Sequence, residues 1–83
     1  MARAKLTETT RPLRIELQRI DDRLATLHGE RAATETALAA AKVKPEAIAE
    51  HGRNLSHISA ETAMLEERWL ELQSELEALQ TSA

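Results

Sequence analysis

The chain has no cysteine, phenylalanine or tyrosine, one tryptophan, two glycines and two prolines in 83 residues. The missing cysteine excludes disulfides and thiolate metal sites and fits a reducing cytoplasm. The missing aromatics argue against an ordinary globular core, which draws on several large rings for buried area. Two glycines cannot build a GxxxxGK[ST] phosphate loop, and with two prolines they leave little material for turns and strands. No apolar run reaches the roughly 18 residues of a membrane span, and the first residues carry no secretory apolar core. A soluble cytoplasmic chain is the expectation.

What the sequence does hold is a spacing. Leu13, Leu17, Ile20, Leu24 and Leu27 alternate steps of four and three. Leu55, Ile58, Leu65, Trp69, Leu72, Leu76 and Leu79 follow the same heptad pattern. Such a stripe lies along one side of a helix and must be covered by another helix. Two stripes in one short chain predict an all-α fold: a two-helix antiparallel coiled-coil hairpin forming a single domain over 1–83. One thin seam supplies little stability at this size, so the hairpin is expected to be marginal, dimeric or attached to something larger.

The punctuation predicts helix 1 over about 10–41, a loop over about 42–53 and helix 2 over about 54–80. Residues 1–9 are polar and expected to fray. Thr9 and Thr10 precede Pro12, which suits a helix start because the first turn has no use for the missing N–H. Leu6 shares the phase of Leu13, so an earlier start with Pro12 tolerated is the alternative. Helix 1 weakens where Arg31 and Thr34 occupy seam positions. Glu46–His51 reads as a short helical turn within the loop, ended by Gly52, with Asn54 re-capping helix 2.

Two registers fit. In the tight one helix 2 starts at Pro45, Ile20 faces Trp69, and the flanks bring Arg23 near Arg68 and Glu16 near Glu75. In the wider one Leu27 faces Trp69, Arg23 lies near Glu75 and Glu30 near Arg68. The opposite charges in the second favour the wider loop, although exposed pairs are worth only about 0.3–0.5 kcal/mol each.

Charge is divided unevenly. Residues 1–44 hold nine Lys/Arg and six Asp/Glu, a net of +3, while residues 45–83 hold two Arg and eight Glu, a net of −6. Attraction between the arms accounts for this simply. The functional reading is that the basic arm touches phosphates, with Lys5, Arg11, Arg14, Arg19 and Arg23 as candidate nucleic-acid-binding residues and Arg3 beside them. They spread around the polar arc rather than forming one stripe. His28, His51 and His57 lack metal-ligand spacing and read as surface or seam-flanking histidines. Asp21-Asp22 and Glu66-Glu67 have no pocket to raise a pKa. Trp69, at a seam position, reads as packing rather than base stacking. No catalytic, cofactor-binding or metal site is expected.

The stretch Thr10-Arg11-Pro12-Leu13-Arg14, opening a basic heptad helix, together with Leu65-Glu66-Glu67-Arg68-Trp69-Leu70-Glu71-Leu72, resembles the C-terminal coiled-coil domain of ABC-F ATPases, closest to the bacterial Uup and YheS type. Pro12-Leu13 matches that family's helix-opening pair, Trp69 its late seam tryptophan, and Arg11 and Arg14 its positive first helix. Lys42–His51 departs from it by lacking an aromatic. The resemblance implies a non-catalytic piece of a larger, ribosome-associated ATPase that holds ATP and magnesium elsewhere. It also implies contact with rRNA, tRNA or DNA, or with the ribosome, in translation, and no membrane. The alternative is a structural coiled coil that forms a homodimer or docks on a protein partner.

Overall fold

A computed structural model describes residues 2–40, 42 and 44–82, the side chains from Lys5 onward. It contains two helices, α1 (Ala2–Ala39) and α2 (Pro45–Ser82), folded back on each other into a rod of 64 × 15 × 13 Å. The all-α hairpin expected from the two heptad stripes is therefore the fold.

The seam follows the heptads. Leu17, Ile20, Leu72 and Leu76 form the buried core, and Leu13, Leu24, Leu65 and Trp69 pack against it. Leu27 and Ile58 are also buried but lie outside that cluster. Leu27 and Leu72 are the most completely covered large side chains, at 1% and 0% exposure. Trp69 thus packs on the cluster containing Ile20 and not on Leu27, which is the tight register. The wider register is wrong, and the loop over 42–53 is wrong with it.

The reason is local. Glu46–His51 is not a separate helical turn but the start of α2, which runs on through Gly52 and Asn54. Gly52 has no positive φ and nothing near the site of a Cβ, so it serves no cap. A glycine inside a helix costs about 1 kcal/mol, less than breaking and renucleating the helix would. The α2 start is instead set by Pro45 in the first helical position, with Glu46 favourably placed in the first turn. The Lys44 carbonyl accepts from the Ile48 amide at 3.0 Å. α1 closes with the Ala40 amide donating to the Ala37 carbonyl at 3.3 Å. The expected end at Ala41 lies outside the described residues, as does Val43.

At the other end α1 begins well before residue 10 and carries Pro12 in its interior. The seam explains this. Leu6 is half-buried and Thr10 is 4% exposed, so the stripe still has a partner there. Pro12 points away into solvent. Side-chain donors collect on carbonyls of the same turns: Thr9 Oγ1 donates to the Lys5 carbonyl at 2.8 Å, and Thr10 Oγ1 and Arg14 Nη2 reach the Thr7 carbonyl, each at 3.4 Å.

Candidate nucleic-acid interface

The charged residues flanking the seam are locked across it. Arg23 donates through Nε and Nη2 to the two carboxylate oxygens of Glu61, at 2.6 and 2.9 Å. Arg68 does the same to Glu16, at 2.7 and 3.1 Å, and spends Nη1 on Glu71 at 3.1 Å. Neither pairing is among the expected ones: Arg23 pairs with Glu61 rather than Glu75, and Arg68 with Glu16 rather than Glu30. Each partner lies one heptad, two helical turns, away from the one expected for the tight register, because a long guanidinium side chain reaches along the rod to a carboxylate rather than facing a like charge. The hydrogen bond from Arg68 holds the Glu16 carboxyl below its ordinary pKa, outweighing the opposing desolvation. The bond from Arg23 does the same to Glu61. Arg23 and Arg68 are raised in turn by these carboxylates.

Of the residues predicted to meet phosphates, Arg23 is thus occupied within the fold. Lys5, Arg11, Arg14 and Arg19 are exposed, and none of them makes an ion pair among the described residues. Arg14 is only lightly tethered, by its long bond to the Thr7 carbonyl. The side chain of Arg3 lies outside the described residues. Lys5 and Arg19 stand two heptads apart and share a face, while Arg11 and Arg14 occupy the neighbouring flank. The structure gathers these four cations at the end of α1 distant from the turn, but as a collar rather than a groove.

Sequence reasoning passed over the opposite end. Lys42 and Lys44 are exposed beside the turn, and Lys42 has a φ of 73°. Nothing in the heptads signals that angle, since it arises from the closure of the connection. It also passed over an open side groove of about 390 Å³, lined in part by Leu27, Thr34, Asn54, His57 and Ile58. The groove adjoins the stretch where Arg31 enters the seam and donates to Ser59 Oγ at 2.9 Å. Two buried polar atoms, His51 Nδ1 and Thr62 Oγ1, have no hydrogen-bond partner. His28 and His57 are exposed and His51 half-buried. Among the described residues no three His, Cys, Asp or Glu side chains converge as metal ligands, and no helix is long and apolar enough to cross a membrane.

Trp69 is half-buried against the core, in keeping with packing. The exposed large apolar residues, Ile15, Ile48, Met64 and Leu70, fall at four different heptad positions and make no second stripe.

In comparison with known proteins, the family described as ABC transporter C-terminal domain matches residues 8–74. No curated protein and no solved structure matches the chain.

Proposed function

The chain belongs to the ABC transporter C-terminal domain family, and on that premise we propose that it is the non-catalytic appendage of an ABC-F ATPase of the Uup and YheS type, contacting ribosomal or other nucleic acid through the first helix. The observation that carries this reading is the division of labour among the cations. Arg23 and Arg68 are spent on cross-seam carboxylates, whereas Lys5, Arg11, Arg14 and Arg19 remain exposed and free of ion pairs. Attraction between the arms leaves these four outside any ion pair among the described residues, and so open to an outside anion. A collar of cations on a rod suits an irregular phosphate surface, such as folded RNA, better than sequence readout, since base-edge recognition needs side chains aligned in one groove. The ATP- and magnesium-dependent chemistry belongs, on this reading, to the parent protein in the cytoplasm.

The test is titration of a fluorescently labelled structured RNA at low and at physiological salt, with mass by light scattering on the same sample. Four phosphate contacts give a slope of log affinity on log salt of about −3. Arg11→Glu/Arg14→Glu should weaken binding by at least about tenfold with helicity unchanged. Binding indifferent to salt and to that pair would remove these residues from the interface. A clean dimer that binds no RNA would favour the structural coiled coil instead.

A further inference from the structure

α1 and α2 can cover each other's stripes in two ways: within one chain, as here, or between two chains that exchange arms. The seam contacts are the same in both, so the connection decides between them. Lys42 sits in the left-handed region at φ 73°, which glycine enters freely and lysine does not. Among the described residues no hydrogen bond or ion pair of the Lys42 side chain offsets that strain. The connection thus favours opening.

Pro45 opposes it. In the hairpin it occupies the first position of α2, where its missing N–H is not needed. Were the two helices to run on as one, Pro45 would fall in a helix interior, without a donor and with its ring against the preceding turn. The stripe itself would allow such a run. Leu38 is the last apolar seam residue of α1; Pro45 lies one heptad beyond it, Ile48 three further on, and Leu55 a heptad after that. Read as one helix, the stripe passes from arm to arm with a single step of three in place of four. Ile48, 49% exposed in the hairpin, would join it. The seam near the turn holds an unpartnered buried polar atom, His51 Nδ1, so separation of the arms begins there at low cost. Pro12 shows that α1 holds a proline in its interior where the seam is covered on both sides of it; at Pro45 the hairpin spares the chain that cost.

We propose that Pro45 is the residue that keeps this chain a monomeric hairpin, and that without it the arms exchange with a second copy into an elongated dimer. No second apolar face is required, which agrees with the scattered exposed residues.

The experiment compares the wild-type chain with Pro45→Ala by light scattering and small-angle X-ray scattering from low to high micromolar concentration, with circular dichroism to confirm helicity. The wild type should remain at 9.2 kDa. Pro45→Ala should double in mass as concentration rises, and its maximum dimension should about double from the 64 Å of the hairpin. Pro45→Gln should behave alike, so loss of folding in one variant leaves the other to decide. Adding Lys42→Gly to Pro45→Ala relieves the turn and should shift the mass back toward the monomer. A helical Pro45→Ala that stays monomeric overturns the proposal. So does a dimer of unchanged length, which would be two hairpins side by side, and so does a wild type that is already a long dimer.

Discussion

Glu16 and Glu61 are the residues through which acid reaches this fold. Each carboxyl is held below its ordinary pKa by a guanidinium on the other helix. In the window between the folded and unfolded values the unfolded chain binds more protons, so stability rises with pH there and is lost as pH falls through the folded values. The hairpin should therefore melt at a lower temperature in acid than at neutral pH, and Glu16→Gln/Glu61→Gln should flatten that dependence; thermal melts followed by circular dichroism across the acid range check both. Because all four partners are at least one-third exposed to solvent, high salt should reproduce part of the effect at neutral pH. Lys42 poses the opposite case, a residue whose backbone works against the fold. At φ 73° a glycine carries no Cβ penalty, so Lys42→Gly should raise stability by about 1 kcal/mol, read as an upward shift of the denaturation midpoint. A shift downward would mean that the lysine contributes something the turn geometry does not show.

The helices are unequal along their length, and the inequality has a physical source. Toward the chain termini the seam is leucine, isoleucine and tryptophan with the one buried Thr10; Thr62 interrupts it midway along α2, and toward the turn it admits Arg31, Thr34 and His51. Leu72, at 0% exposure, sits at the centre of the first region. Leu72→Ala should cost about 2–5 kcal/mol, comparable with the whole stability of so small a core, and the isolated chain should lose its cooperative melt. Thr62 lies between the two regions, midway along α2. Its buried hydroxyl has no partner, so Thr62→Val, which keeps the shape and removes the polar atom, should stabilise by about 1 kcal/mol, as measured by chemical denaturation. Amide exchange should likewise be faster near the turn than around Leu72. These differences were partly legible in the sequence. The two stripes, their antiparallel pairing and the weak seam at Arg31 and Thr34 follow from apolar spacing, which reports what must be covered. The register did not follow, because Gly52 and Asn54 imitate a helix boundary that cooperativity overrides. Charge pairs, each worth little, could not choose between registers, since every flanking position has candidates one heptad apart. At Pro12 the alternative read from the phase of Leu6, an earlier start with the proline tolerated, is the one the fold takes, because a seam already paired through Leu6 and Thr10 carries the helix past a residue it would otherwise start from.

At the scale of the molecule the sequence described a basic arm and an acidic arm, and the fold lays them side by side along the same rod. The candidate cations were legible as a set; which of them stay available was not, since that depends on the partner each flank finds. Arg23 is consumed and Arg11, Arg14, Arg19 and Lys5 are left exposed. The shape gives the collar its setting. A globular chain of this length would have a radius of gyration of about 12 Å, whereas the hairpin has 18.7 Å. The difference is large enough for solution scattering to decide whether the isolated chain holds this form, and the expected radius lies near the larger value. That measurement comes logically before any binding experiment. In a rod the basic collar on α1 lies beside Glu66, Glu67, Glu71, Glu75 and Glu77 of α2, so an approaching polyanion is attracted where it meets the α1 face and repelled from the α2 face. In a collapsed or molten chain the two charges would average, leaving a net of −3 and weak, unoriented attraction. Salt-sensitive RNA binding together with the larger radius would therefore tie affinity to the rod. RNA binding by a chain that scattered near 12 Å would place it in some other arrangement of the same residues, and the collar would have to be given up.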